Sequence, residues 1–181
     1  DAYFAFHTQN TGGSYAERLR ITSTGKVSIG NESSPLGTLH VKEGDSGVTS
    51  ADTSQDTLFL ESNGNAGLTI ATPNANTGYL TFADPQDSNI GQIIYRHSDN
   101  SMSMFVNAAE RLRIDSSGHV MIGTTTEGFA TYGDQFTIAN TGHCGMTIRS
   151  GTSSYGTIYF SDADDGSADE VRGFIDYNHS N

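Results

Sequence analysis

At 181 residues and a net charge of −12, this chain repels nucleic acid and anionic membrane, which excludes both as expected partners. Only 34% of its residues are apolar and 17% charged, with 21 glycines among them. That is too little apolar material for one copy to offset its own conformational entropy, and too little charge for a disordered chain. No apolar run reaches the length of a membrane span. Cys144 stands alone, so no intrachain disulfide framework exists, and it reads as a small buried hydrophobe.

In chain order, Asp1-Ala2-Tyr3 opens without the basic stretch of a signal peptide. Tyr3-Phe4-Ala5-Phe6 then leads into a fifteen-residue stretch, Ala16–Gly30, that returns as Ala109–Gly123 with eleven positions identical. Such self-similarity at an offset of 93 marks a repeated module. Leu19 and Ile21, then Ser23-Thr24-Gly25, then Val27 and Ile29 read as strand, tight loop, strand. Gly25 and Gly118 sit where a hairpin loop needs positive φ. Arg18 and Arg20 are expected opposite the apolar face. Glu17 shares the apolar parity and so needs an arginine partner there, from another strand or another chain.

Asn31–Gly37 is loop chemistry. Thr38–Val41 is a short strand, with Gln135–Ile138 as its counterpart, and residues 42–56 form a polar surface loop. Gly67-Leu68-Thr69-Ile70 matches Gly145-Met146-Thr147-Ile148, and Gly78–Phe82 matches Gly156–Phe160, both at an offset of 78. These are expected as alternating strands. Gly91–Ser98 matches Gly173–Ser180 at 82, so the acidic segments Asp84–Asn89 and Asp162–Glu170 tolerate insertions, as surface loops do. Met102-Ser103-Met104-Phe105 then leads into the second hairpin. The modules divide the chain into 1–30, the close of one; 31–123, a complete one; and 124–181, the opening of the next. Both ends fall inside a module, so the chain reads as a piece of a longer array.

The Gly-x-Ile-x-Tyr-x-His-Ser strand (Gly91–Ser98), followed by Glu-Arg-Leu-Arg-Ile-x-Ser-x-Gly-x-Val-x-Ile-Gly (Glu110–Gly123), resembles bacteriophage tail-fibre repeats of the marine-phage and cyanophage type. Gly173–Ser180 and Glu17–Gly30 carry the same elements. Lys26 and Ser28, or His119 and Met121, stand where that family often has Asn and Gly, which alters one face and leaves the alternation intact. The resemblance implies an elongated all-β homotrimeric fibre, in triple-β-helix or β-prism style. It implies a non-enzymatic virion component that holds a receptor-binding tip for host attachment. Its partners would be two further copies of itself, other tail or fibre proteins, and host surface glycan touched through loops such as 42–56 and 162–170. The expected trimer core is Leu19, Ile21, Val27, Ile29, Leu112, Ile114, Val120 and Ile122. The alternatives are a carbohydrate-binding or depolymerising tailspike segment and a bacterial trimeric surface adhesin.

Other motifs carry less. Gly44-Asp45-Ser46-Gly47 resembles the nucleophile loop of trypsin-like proteases but lacks the Gly-Pro that follows, so it reads as a loop. The acids of 162–170 offer hard oxygens for calcium out of EF-hand register, and they read as a solvated loop. Adjacent acids in a variable loop lack the fixed separation glycoside hydrolysis needs. No His-x-His pair occurs; His97 and His179 are repeat-equivalent and read as hydrogen-bonded residues at a strand end rather than metal ligands. Tyr79, Tyr95, Tyr132, Tyr155, Tyr159 and Tyr177 read as core or cross-strand aromatics rather than sugar platforms. No cofactor, metal or catalytic residue is expected.

Overall fold

The computed structural model describes residues 2–129, 132–161 and 171–178, and there the chain is all-β without a helix. The strands are β1 (Tyr3–Gln9), β2 (Tyr15–Thr22), β3 (Val27–Ile29), β4 (Leu39–Lys42), β5 (Leu58–Glu61), β6 (Thr77–Phe82), β7 (Gly91–Arg96), β8 (Ser101–Val106), β9 (Ala109–Ile114), β10 (Val120–Ile122), β11 (Phe136–Ile138), β12 (Tyr155–Ser161) and β13 (Val171–Asn178). They form three open sheets, ordered β1-β2-β3-β4-β5, β11-β10-β9-β8-β7-β6 and β12-β13. The chain divides into two compact units, Asp1–Ile70 and Ala71–Asn181. That division is offset from the repeat boundaries at 30/31 and 123/124, because β3 pairs across the first of them with β4.

Each repeat builds the same four-strand path. β2 and β3 are antiparallel, with Leu19 facing Ile29 and Ile21 facing Val27; β9 and β10 match them as Leu112–Ile122 and Ile114–Val120. The next strand joins in parallel, Val27 beside Leu39 and Val120 beside Phe136, so the expected equivalence of 38–41 and 135–138 holds. Both hairpin loops turn on a glycine at positive φ, +83° at Gly25 and +88° at Gly118. The side chain four residues before each loop's end closes it. Lys26 N–H donates to Thr22 Oγ1 at 3.0 Å, and His119 N–H to Asp115 Oδ1 at 3.0 Å. Thr and Asp differ between the repeats and do the same job.

One bulge, present twice, corrects the expected faces. β1 and β2 shift register between Phe6 and His7, leaving Arg18 unpaired; β8 and β9 shift between Met104 and Phe105, leaving Arg111 unpaired. One extra residue reverses side-chain parity. Glu17 therefore leaves the apolar face and joins Arg20 on the polar one.

Gly67–Ile70 and Gly145–Ile148, expected as strands, belong to no sheet. Cys144 is exposed rather than buried. His97 directly follows β7: its backbone N–H donates to the Asn76 carbonyl at 3.1 Å, and its ring meets Tyr95 edge-on at 5.0 Å. The acidic loop 162–170 and His179 lie outside the described residues.

The β8–β9 turn holds Asn107 and Ala108 at φ of 55° and 54°, a two-residue loop with both central residues left-handed. Ala carries a Cβ penalty there that Gly does not. Ala108→Gly is expected to raise stability by about 0.5–1 kcal/mol, read as a higher urea midpoint.

Candidate interaction face and the ion-pair lattice behind it

Cross-strand pairing lines up the apolar residues of β1–β5 in two rows. One row is Phe4, Ile21, Val27, Leu39, Leu58; the other is Phe6, Leu19, Ile29, Val41, Leu60. Among the described residues they stay uncovered: Phe4 is 59% exposed, Phe6 55%, and none of the ten is buried. The second sheet repeats the arrangement. Phe136, Val120, Ile114, Met102 and Tyr95 share one row, and Ile138, Ile122, Leu112, Met104, Ile93 and Leu80 the next. Phe82, Ile93, Met104 and Val106 border an open apolar depression at its end. The eight expected core residues thus lie on these open faces, four on each sheet, half-buried or exposed in the single chain. Removing side chains of this size from water contributes on the order of 1 kcal/mol or more each. Open surfaces this continuous are typical of interaction sites in proteins.

In the first sheet the opposite face is polar, and it is the buried one; in the second, Ile94 and Met121 are buried there beside Ser101 and Ser103. Loop residues Pro35 and Gly37 are buried, and beneath this loop Ser28 and His40 are both 0% exposed. Ser28 Oγ donates to the Glu32 carbonyl at 2.7 Å. His40 Nδ1 accepts the Leu36 N–H at 3.3 Å, which leaves Nε2 facing Glu61 Oε2 at 2.8 Å, close but not aligned as a hydrogen bond. Glu61 Oε1 accepts both the N–H and the hydroxyl of Ser46, at 2.8 and 3.1 Å. Lys42 Nζ reaches Glu32 Oε2 at 2.8 Å and Glu61 Oε1 at 3.6 Å. Ser46, singled out by its protease-like loop, thus binds an acid directly. The histidine lies beyond that acid, the reverse of the nucleophile-base-acid order.

Both bulges place an identical pair on this polar face. Arg20 donates to the two Glu17 oxygens at 2.7 and 2.6 Å, and lies 3.7 Å over the Tyr3 ring. Arg113 donates to Glu110 at 2.7 and 2.9 Å, and Arg96 adds a contact at 3.3 Å. The predicted arginine partner of Glu17 is therefore in its own strand, three residues on; the spacing was in the sequence, but the bulge that makes it reachable was not. Hydrogen bonds from Arg20 hold the Glu17 carboxyl below the usual carboxylate range. Burial raises that of Glu110, yet Arg113 and Arg96 together outweigh it and the net shift is downward. The Ser46 N–H leads in lowering Glu61, against burial.

Carboxyls with lowered folded values release protons more readily folded than unfolded. Their stabilisation is complete above the unfolded value near pH 4.3 and fades as pH falls through the folded values. The urea midpoint is expected to fall steadily from pH 5 to pH 3; a flat profile would contradict this lattice.

Among the described residues, two groupings have ligand atoms within 4.8 Å of one another: Glu32, His40, Glu61 and Asp115, His119, Glu127. The first already contains a cation, Lys42, and its imidazole accepts at Nδ1, where a metal-bound histidine needs a proton. In the second, His119 Nδ1 lies 2.9 Å from Asp115, 3.1 Å from Glu127, and its Nε2 3.8 Å from Asp134. His119 stands where the first hairpin has Lys26, whose Nζ donates to the Pro35 and Leu36 carbonyls at 3.1 Å. Each side chain ties its hairpin to the loop that follows. Comparison of the chain with protein-family models and with curated proteins finds no match to either.

Proposed function

We propose that this chain is a structural segment of a bacteriophage tail fibre, one strand-rich subunit of a homotrimeric shaft that carries a receptor-binding tip towards the host. The observation that carries the reading is the uncovered apolar rows on both sheets. In the first sheet the buried side chains are polar, among them Ser28, His40 and Glu61, and in the second Ile94 and Met121 are buried beside Ser101 and Ser103, while the apolar rows of each sheet face outward. A single copy organised this way leaves its main hydrophobic contribution unspent, and further copies with the same rows supply a matching cover. The repeated Glu-Arg-Leu-Arg-Ile hairpin and its phage-fibre likeness point to the same assembly. The role is mechanical, and the two copies and neighbouring tail proteins are its partners.

Sedimentation equilibrium tests it. The chain is expected at three times 19.3 kDa, and Ile29→Asp with Ile122→Asp is expected to shift it to the monomer. A wild-type chain that stays monomeric at every concentration would overturn the reading. The carbohydrate-binding alternative has one feature in its favour, an open depression lined by Tyr155, Tyr159, Phe174 and Asp176 on the β12–β13 hairpin. Against it, Asp176 occupies the place of Ile94 in the equivalent β6–β7 hairpin, where Ile94 itself is buried.

A further inference from the structure

We propose that Gly67–Ile70 and Gly145–Ile148 are strands whose partners belong to further copies of this chain, joining subunits backbone to backbone. The inference rests on the trimeric reading above and says where and how the copies engage. Among the described residues, neither segment belongs to a sheet, and none of its backbone groups has a backbone partner within the chain. Every residue in both is exposed, with Leu68 at 65% and Met146 at 60%. Yet Leu68 and Ile70, like Met146 and Ile148, flank a threonine at the period of a half-covered strand.

The feature occurs twice, 78 residues apart, each time just ahead of an equivalent hairpin. Leu gives way to Met while the alternation stays, so the requirement is on pattern rather than on one side chain. A partner meeting that pattern at both places must itself repeat at the same spacing, and another copy of this chain does. Charge agrees. From Ser62 to Phe82 there is no Asp, Glu, Lys or Arg, and from Gln135 to Ser161 only Arg149. Elsewhere chains at −12 repel one another; along these stretches they approach freely. Unpaired N–H and C=O groups beside apolar side chains are what a strand from another chain adds to.

Amide hydrogen exchange on the 181-residue chain tests this, comparing concentrated protein that sediments as a trimer with dilute monomer. Amides of 67–70 and 145–148 are expected to exchange at least about 100-fold more slowly in the trimer. Alternate residues are protected if one edge pairs, and all of them if both do. Exposed Thr49 and Ser50 serve as controls and should not change. A trimer whose 67–70 and 145–148 amides exchange as fast as the monomer's overturns the inference and leaves the trimeric reading standing. A chain that never assembles removes both.

Discussion

Gly30→Ala and Gly123→Ala are each expected to cost about 3 kcal/mol or more, whereas Gly25→Ala and Gly118→Ala cost about 1 kcal/mol. All four glycines have positive φ, so backbone strain is common to both pairs. Space separates them. A Cβ on Gly25 or Gly118 meets nothing within 4 Å. On Gly30 it would collide with the Lys42 carbonyl oxygen, and on Gly123 with that of Ala139. Those oxygens are backbone atoms that no rotamer change can move aside. Gly30 N–H also donates to the Arg18 carbonyl at 2.9 Å, and Gly123 N–H to Arg111 at 3.0 Å, so the glycine cannot retreat without losing that bond. Urea unfolding of the four single variants reads the contrast directly. Equal losses in both pairs would mean that the parallel strand does not press on the motif's last residue.

Glu61→Ala is expected to be the most damaging side-chain change in the first unit, at about 3 kcal/mol. The carboxylate is 5% exposed, and its removal strips partners from Ser46, Lys42 and His40 together. His40 would then be left at 0% exposure with its Nε2 facing a cavity. The figure sits at the low end for a buried pair because the sheet is a single layer, so nearby water still screens the charges. Glu61→Gln should lose about half as much, since its amide oxygen still accepts from Ser46. Thermal unfolding of the two variants against the parent settles the ordering, and a loss no larger for Ala than for Gln would contradict it.

The two hairpins and most strand positions were legible because alternation and the repeat report local periodicity, whereas the parallel ladders were not, since they join strands separated by loops that carry no periodic signal. Leu19/Ile21 against Val27/Ile29 predicts a hairpin that its second copy corroborates. Gly25 and Gly118 follow from turn chemistry alone. The bulge at Arg18 was not legible, since it depends on how many residues β1 sets opposite β2. For that one reason Glu17, apolar by parity, lies on the polar face. Ser28 and His40 were unreadable as buried residues because the 31–37 loop, not another apolar layer, covers them. The roles of Gly30 and Gly123 depend on a carbonyl twelve or sixteen residues away. Leu68 and Met146 carry a strand pattern with no strand partner in the chain, where local signal and single-chain structure part company.

The connections between the parallel strands differ in length while the ladders they join do not. Val27 meets Leu39 twelve positions on, and Val120 meets Phe136 sixteen positions on, in the same register. Four additional residues are absorbed there without slipping a single rung. A foreign peptide grafted between Thr125 and Thr126 would inherit that tolerance and be displayed on a rigid scaffold. In a longer array of such modules, the same graft would give epitopes at regular intervals.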